Sequence, residues 1–412
     1  MNKQALIALD DALLQLLGGL QPLASPEMVS TFDADGRILA EDVRAELNVP
    51  SFDNSAMDGY AFNCQDLSAH QGKLKVGQRI AAGSQPSVLA AGHAARIFTG
   101  APVPLGADAV VMQEECEATE DGHVRVKLVP SVGQCIRRQG EDISVDQVVL
   151  AKGLRLTPTG LGMAASIGRS SLLVSRSPKV ALLSTGDELV MPGDVAPANL
   201  PAGSIFNSNR FFLRALLHRL GCTVTDFGNL PDDLEATKQM LSLASTSHDL
   251  ILTSGGVSVG EEDHVKPAVS ALGQLHLWAL AVKPGKPFAY GHVQNAQNSP
   301  THFIGLPGNP VSSLVTFMLL VRPFVLALQG AQQVGLKSYS VRADFEWPKA
   351  DKRREFLRVR RNPQGGIDLF PNQSSGVLTS AVWGDGLIDN PPNQSIRKGD
   401  MVEFIPFNDW MS

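Results

Sequence analysis

The chain has 412 residues, of which 43% are hydrophobic and 18% charged, with 35 Lys and Arg against 41 Asp and Glu. This length exceeds the size at which a single hydrophobic core keeps growing, so two to four domains are expected, and the composition excludes a disordered chain. A net charge of -6 leaves no global positive field, so no nucleic-acid or membrane partner is predicted.

The first predicted element is an amphipathic helix that ends at Gly18 and Gly19. Its leucines recur at helical spacing, and Asp10 and Asp11 interrupt what would otherwise be the apolar centre of a signal peptide. The longest apolar run, at 311–321, is shorter than the ~20 residues of a membrane span. The four cysteines are irregularly spaced without a C-x-x-C pair, which is typical of reduced thiols. These patterns predict a cytoplasmic protein.

Four regions follow along the chain, and together they predict a multidomain α/β plus β fold. Residues 48–146 are short apolar runs broken by turn signals, which predict an inserted β module. The flanking segments 1–47 and 147–177, the latter with a helix near its centre, are expected to form one discontinuous domain. In 178–330, strands alternate with helices, which predicts a three-layer α/β/α domain with a mostly parallel sheet. Helical periodicity then disappears, so 331–412 are predicted to form a small β-barrel or sandwich.

In an open α/β sheet, ligands bind beyond the carboxyl ends of the strands. Three predicted strands end in loops rich in Gly and Ser, and such loops can cradle phosphate with backbone N–H groups and hydroxyls. One such loop is more often only a tight turn, but three on one sheet edge predict a binding site. The candidate ligand residues in these loops are Gly186, Asp187, Ser254, Gly255, Gly256, Ser258, Pro307, Gly308, Asn309, Pro310 and Ser312.

Carboxylates follow the same predicted strands. Mg²⁺ takes one or two carboxylates together with substrate phosphates, so a metal is plausible there. Acidic residues are also favoured at the start of a helix, which leaves Asp232 and Asp233 open between metal ligand and helix cap. Glu188 and Asp263 each follow a glycine-rich loop and are interpreted as functional.

The segment 283–287 places Lys283 and Lys286 three residues apart on a chain stiffened by two prolines. The prolines and the intervening glycine fix where both ammonium groups point, which favours binding of a small oxyanion, although lysine pairs are more often solvated. The loops 50–61 and 97–104 are, taken alone, more typical of structural turns. A basic stretch at 352–361 is typical of a solvated strand face, from which one or two arginines could reach an anion.

Six motifs in this order resemble the MoeA family, the molybdopterin molybdenumtransferases, which are related to the gephyrin E domain. The resemblance covers essentially the whole chain and is weakest in the C-terminal module. The motifs are SAMDGYA at 55–61, FTGAPVP at 98–104 with GADAVVM at 106–112, STGDEL at 184–189, SGGVSVG at 254–260 with Asp263, KPGKP at 283–287 and LPGNPVS at 306–312.

The resemblance implies insertion of molybdenum from molybdate into adenylated molybdopterin, with Mg²⁺-dependent cleavage of the adenylate and release of AMP. It implies an elongated homodimer in which the β module of one subunit lies near the central cleft of the other. Contacts with the molybdopterin adenylyltransferase and with downstream cofactor-handling proteins are also implied.

The family's functional residues carry over by motif. The doubled arginines at 353–354 and serines at 374–375 leave each choice open by one position. By this resemblance, Asp58 and Thr99 would line the cleft; Glu188, Asp232 and Asp263 would serve the metal and phosphates; Lys283 and Lys286 would hold molybdate or phosphates; and Pro287, Ser312, Arg353 and Ser374 would contact the ligand.

Two other functions compete with this interpretation. A nucleotide pyrophosphatase or molybdopterin adenylyltransferase would use the same phosphate cradle, but it would not need the motifs around Asp58 and Thr99. A scaffold that binds a peptide would not need the acids and lysines. Molybdate and the adenylate diphosphate repel each other, and a metal ion with two ammonium groups would offset that repulsion.

Overall fold

The computed structural model describes residues 5–230, 233–257, 264–295 and 300–411. It contains a central, mostly parallel seven-stranded sheet, a curled β module near the N-terminus and a C-terminal β-barrel. The predicted fold class, multidomain α/β with flanking β domains, is therefore confirmed.

The central sheet is parallel except for one strand. Pro287–Gln294 runs antiparallel to both of its neighbours. This strand and its neighbour Gly273–Leu280 do not emerge from the sequence analysis, which expects only a loop between the third and last parallel strands. In spatial order the strands are Leu6–Ile7, Gly273–Leu280, Pro287–Gln294, Pro300–Leu306, Leu250–Ser254, Lys179–Thr185 and Thr223–Leu230.

Helices cover both faces of this sheet, because alternate residues of each buried strand point to opposite sides. In the strand Lys179–Thr185, Val180 and Leu182 belong to one hydrophobic cluster, whereas Ala181 and Leu183 belong to another. The first face packs against the helices Asn209–Arg219 and Pro310–Leu328, and the second against Leu234–Ser245 and Val265–Leu272. A short parallel pair, Leu189–Val190 with Ile205–Phe206, and a 3₁₀ turn at Pro197–Asn199 complete the domain.

The N-terminal helix Leu9–Leu17 also packs on the first face, with Leu9, Ala12 and Leu16 in the same cluster as Val180. Leu6–Ile7 forms the edge strand of the central sheet. The start of the chain, which the sequence groups with 147–177 in one discontinuous domain, therefore also contacts the central domain.

The helix Pro310–Leu328 is long and apolar enough to cross a membrane, but 94% of it is buried inside the protein. It is α-helical at Pro310–Thr316, π-helical at Phe317–Val321 and α-helical again at Arg322–Leu328. Sequence analysis suggests that the run stops at Arg322. The wider π turn ends two residues before Pro323, which has no N–H to donate to the preceding turn, and the helix continues past it. It is thus a core helix of the central domain.

The β module contains a six-stranded sheet and one helix, Cys64–Ala69. Its strands in spatial order are Ala109–Met112, Gly59–Phe62, His93–Ile97, Lys73–Ile80, His123–Val126 and Cys116–Ala118, with a 3₁₀ turn at Gln113–Glu115. The segments that flank the module form two antiparallel pairs: Glu27–Ser30 with Ser171–Val174, and Val43–Arg44 with Val148–Leu150. A third antiparallel pair, Asn54–Ser55 with Ile136–Arg137, lies within the module. The helix Pro158–Ser166 and a 3₁₀ turn at Thr31–Asp33 accompany them.

The C-terminal barrel closes through the strands Tyr339–Ala343, Arg354–Arg361, Gly366–Leu369, Gly386–Asn390 and Met401–Pro406, with short helices at Thr379–Trp383 and Asn408–Met411. Val282–Lys283 of the central domain adds a sixth strand. Glu355 pairs with Lys283 on one side and Asn390 on the other, so this short strand occupies the edge that Gly366–Leu369 leaves uncovered.

Candidate active site

A pocket of about 810 Å³ opens at the carboxyl edge of the central sheet. Its volume lies within the range of small-molecule sites, roughly 300–1,000 Å³. The glycine-rich loops that the sequence singles out converge on it. Of the predicted site residues, Gly186, Asp187, Glu188, Ser254, Gly255, Gly256, Pro287, Pro307, Gly308, Asn309, Pro310 and Ser312 line this pocket.

The glycines at the pocket are required by close approach as well as by backbone angle. Gly255 has φ +95°, and a Cβ there would lie 2.8 Å from the carbonyl oxygen of Thr185. Gly186 has φ +130°, and the carboxyl carbon of Glu188 would lie 2.8 Å from its Cβ. Both positions favour glycine, because L side chains rarely adopt such φ values. The first and third loops are thus packed directly against each other.

Two buried asparagines, which the sequence analysis does not identify as site residues, also line the pocket. Asn209 Nδ2 donates to Ser254 Oγ at 2.8 Å and to the Gly308 carbonyl at 2.7 Å, so it joins two of the glycine loops. Asn207 Nδ2 donates to Ser184 Oγ at 2.9 Å. Poor helix formers repeated at a strand-to-helix junction are the sequence signal for such cross-links.

Three helices begin at the pocket. Ser208 and Asn209, His264 and Val265, and Asn309 and Pro310 are the first residues of their helices, and all of them line it. The amino end of a helix carries partial positive charge and N–H groups that bind anions. The pocket is therefore suited to phosphate or another oxyanion.

The barrel reaches the rim of the same pocket. The Ser375 carbonyl accepts a hydrogen bond from Val311 N at 2.9 Å, in the first turn of the Pro310 helix, and Gly376 lines the pocket. The predicted ligand residue Ser374 is exposed and adjacent to this turn but does not line the pocket.

Asp187 and Glu188 are exposed and contribute two carboxylates to the pocket. Asp233 is a helix cap, since its Oδ1 accepts from Ala236 N at 2.7 Å, which decides the ambiguity left by the sequence for this residue. The predicted residues Asp232, Ser258 and Asp263 lie outside the described residues.

Within the described ranges, no group of three or more His, Cys, Asp and Glu could hold a metal ion. Two carboxylates beside an anion site nevertheless fit Mg²⁺, which usually takes one or two protein carboxylates and completes its shell with phosphate oxygens and water.

Lys283 and Arg353, which the resemblance assigns to contacts with molybdate, phosphates or the ligand, are not among the residues that line this pocket. Lys283 Nζ lies 3.0 Å from Glu355 Oε1 and 3.2 Å from Asp351 Oδ2, and Arg353 binds both oxygens of Asp351. Glu355 is fully buried, and a buried carboxylate requires a cation, which Lys283 supplies. Lys286 is exposed, directly before the pocket residue Pro287.

Arg358 is a buried cation that the sequence analysis passes over in favour of Arg353. The residue is 1% exposed, and its guanidinium donates to Ser380 Oγ, the Phe356 carbonyl and the Ser374 carbonyl. Burial lowers its pKa to about 10. An arginine between the apolar residues Leu357 and Val359 is the sequence signal that distinguishes it from its solvated neighbours.

Asp58 and Thr99 meet on the surface of the β module, 41 residues apart in sequence. Thr99 donates to Asp58 Oδ1 from its backbone N at 2.8 Å and from its hydroxyl at 2.7 Å. The two hydrogen bonds, the backbone one first, lower the pKa of Asp58. Both residues are exposed, and neither lines the pocket of its own chain.

The fold and the site define a class: a multidomain α/β protein that binds a phosphate-bearing small molecule where helix amino ends meet two carboxylates. Three family profiles match consecutive segments: "MoeA N-terminal region (domain I and II)" at residues 7–168, "Probable molybdopterin binding domain" at 181–327 and "MoeA C-terminal region (domain IV)" at 340–407.

Curated relatives agree with these profiles. The chain is 40% identical to a molybdopterin molybdenumtransferase of Haemophilus influenzae over 98% of this chain and 99% of the relative, and 37% identical to one of Synechococcus elongatus over 88% and 89%. The crystal structure of a molybdopterin biosynthesis MoeA protein from Pyrococcus horikoshii OT3 is similar with a TM-score of 0.83 and 27% identity, covering 98% of this chain and all of that one. The chain belongs to the MoeA family, the molybdopterin molybdenumtransferases, and is an enzyme of molybdenum cofactor biosynthesis.

Proposed function

We propose that this enzyme transfers molybdenum from molybdate to adenylated molybdopterin in the pocket at the carboxyl edge of the central sheet, releases AMP and works in the cytoplasm. The observation that supports this most directly is the pocket itself. Three helix amino ends, the glycine loops and the carboxylates of Asp187 and Glu188 meet in about 810 Å³.

The charges of the two substrates explain why such a pocket is needed. Molybdate is a dianion and the adenylate carries a diphosphate, so their approach is electrostatically unfavourable. Fixed N–H dipoles offset this repulsion without the reorganisation that water would need. Lys286, next to the pocket residue Pro287, is proposed to supply a mobile positive charge.

Mg²⁺ is proposed to bind Glu188 and Asp187, with Asp232 and Asp263 as further ligands. When bound, it would neutralise charge on the diphosphate. The carboxylate of Glu188 lies close to Gly186, and both residues line the pocket wall. Asp187 is one residue away, so the two side chains can share a single cation.

Asp58 and Thr99 are proposed to complete the site of a second subunit in a homodimer. Their exposure on the β module and their absence from the lining of their own pocket support this arrangement. Because hydrogen bonds from Thr99 lower the pKa of Asp58, its carboxylate stays ionised at neutral pH and is suited to accept a hydrogen bond from the ligand. Contacts with the molybdopterin adenylyltransferase and with downstream cofactor-handling proteins are further proposed.

The test is AMP release from adenylated molybdopterin with molybdate and Mg²⁺. We expect Glu188→Gln to reduce the rate by about a hundredfold or more, since it removes a ligand of the proposed Mg²⁺ ion that would offset the charge of the reacting phosphates. Glu120→Gln, at an exposed position of the β module, should leave the rate unchanged. AMP release that is equally fast without molybdate would instead identify a pyrophosphatase.

A further inference from the structure

Arg96 lies in the strand His93–Ile97 of the β module and makes contacts on two sides of the Asp58–Thr99 pair. Its Nη1 donates to the Gly59 carbonyl at 2.9 Å, and its Nη2 donates to Gln113 Oε1 at 2.5 Å. Its guanidinium carbon also lies 4.7 Å from the ring centroid of Phe98.

Each of these contacts reaches an immediate neighbour of the pair. Gly59 follows Asp58 and Phe98 precedes Thr99 in sequence. Gln113 is also bonded to the pair, because its backbone N donates to the Asp58 carbonyl at 3.0 Å. One guanidinium therefore contacts the Gly59 backbone beside Asp58 and the Phe98 ring beside Thr99, on the two segments that the Asp58–Thr99 contact joins across 41 residues.

The chemistry of arginine explains this arrangement. A guanidinium presents N–H donors in a rigid fork and stacks on aromatic faces at the same time, which the single ammonium of lysine does not do. Tyr60, the cross-strand neighbour of Arg96, also has its ring centroid 5.3 Å from the guanidinium carbon. Both hydrogen bonds from Thr99 end on Asp58 Oδ1, so the position of Thr99 also sets the direction of Oδ2.

We propose that Arg96 is a positioning residue that holds Asp58 and Thr99 in the geometry needed for molybdenum transfer. This inference rests on the proposed role of the Asp58–Thr99 pair. It goes beyond that role because it assigns the geometry of the pair to a residue outside the predicted site. Arg96 acts through Gly59 and Phe98, and, after the hydrogen bonds from Thr99, its positive charge also lowers the pKa of Asp58.

Arg79 provides a matched control. Its guanidinium carbon lies 4.5 Å from the same Phe98 ring, so it shares the aromatic contact. Among the hydrogen bonds of the described chain, none joins Arg79 to Gly59 or Gln113. Comparing Arg96→Met with Arg79→Met therefore separates the effect of losing the hydrogen bonds from the effect of losing the aromatic contact.

In the full-length protein, we expect Arg96→Met to lower kcat for AMP release by about tenfold or more, because small displacements of catalytic groups cost large factors in rate. KM for adenylated molybdopterin and the midpoint of thermal unfolding should change little, and Arg79→Met should stay within about twofold of wild type. Arg96→Lys should recover only part of the loss, and it remains informative if Arg96→Met folds poorly.

A double-mutant cycle separates positioning from a merely structural role. If Arg96 acts through Asp58, the variant carrying both Asp58→Asn and Arg96→Met is no slower than Asp58→Asn alone. A further slowing by the full factor of Arg96→Met would overturn the inference. So would a normal rate for Arg96→Met when Asp58→Asn is slow, and that result would leave the proposed function intact. A normal rate for Asp58→Asn would refute the role of the pair itself, and the inference with it.

Hydrogen exchange gives a readout that does not depend on activity. The Thr99 N–H donates to Asp58 Oδ1, so its exchange reports whether the pair is formed. We expect faster exchange at Thr99 in Arg96→Met and unchanged exchange in Arg79→Met. Equal exchange rates in both variants would contradict the positioning role.

Discussion

The ammonium group of Lys283 lies 3.0 Å from Oε1 of Glu355, whose side chain is fully buried at the junction of the central domain and the barrel. The other carboxylate oxygen accepts from Trp347 Nε1 at 2.9 Å and from Asn390 Nδ2 at 3.3 Å. The Glu355 carboxylate is thus paired and hydrogen-bonded, as a buried charge must be. Lys283 acts here as a link between domains.

Glu355→Gln should lower the free energy of unfolding by about 3 kcal/mol, because removing one partner of a buried pair leaves the other charge uncompensated. We place the value at the low end of the usual range because the Lys283 side chain is 39% exposed and also contacts Asp351. Chemical denaturation followed by tryptophan fluorescence, with Trp347 as a probe in the barrel, measures it. Glu235→Gln, which breaks the exposed pair with Lys238, should cost less than about 1 kcal/mol.

Lys286→Met should raise the molybdate concentration needed for half-maximal AMP release by about tenfold, since Lys286 is the exposed lysine beside the pocket. Lys283→Met should instead act mainly on stability, because its charge is matched by Glu355 and Asp351. Lys352→Met, at an exposed position in the barrel, is the control. An effect on molybdate that is the same for Lys286→Met and Lys352→Met would contradict the assignment.

Gly255→Ala should abolish ligand binding, measured by isothermal titration, because the new Cβ would meet the Thr185 carbonyl and displace the third loop. The variant Gly122→Ala tests whether backbone strain alone would cause such a loss of ligand binding. It has φ +77° and nothing within 4 Å of the position of a Cβ. Gly122→Ala should cost about 1 kcal/mol of stability and leave binding intact. Similar binding by both variants would show that the close packing of the loops is not needed.

Stability should decrease in mild acid because of His302. Burial, with a smaller contribution from the nearby His292, lowers the pKa of His302 to about 4, against 6.5 for an ordinary histidine. Between these values the unfolded chain binds a proton that the folded chain does not, so stability is lost as pH falls from about 6.5 towards 4, by at most about 3 kcal/mol.

Urea midpoints from about pH 7 to about pH 5 measure this slope. His302→Phe, which keeps a ring against Phe324, should flatten it, although burial also lowers the pKa of His292 and part of the slope should remain. His218→Gln, on an exposed helix surface, should keep the wild-type slope. An unchanged slope in His302→Phe would assign the acid sensitivity to other groups.

Local patterns predict the pocket well, because turns and strand ends are set by nearby residues. The loops that contain Gly255 and Gly308 follow strands, as the alternation of strands and helices in the sequence predicts. They meet because parallel strands end at one edge of the sheet. The capping role of Asp233 needs its actual backbone geometry, since Asp232 beside it has the same chemistry. Spacing within the 283–287 segment could not reveal that Lys283 pairs with Glu355, 72 residues further along.

Long-range packing, which local spacing does not reveal, explains two other differences between the predicted and the observed structure. Gly273–Leu280 and Pro287–Gln294 contain Gly, Pro and His in addition to apolar residues, so their alternation is weak, and they become strands because neighbouring strands pair with them. Arg358 stands between two apolar residues, but its complete burial depends on how the barrel packs, which the sequence pattern does not show.

The two-residue strand Val282–Lys283 makes the barrel dependent on the rest of the chain. Without it, the edge of the Arg354–Arg361 strand would keep unpaired N–H and C=O groups at Arg354 and Glu355, which is the kind of open edge that favours aggregation. The same short strand is followed within four residues by Pro287 in the pocket wall. Because one short segment joins the barrel to the pocket wall, we expect removal of the C-terminal domain to alter the pocket as well as the barrel.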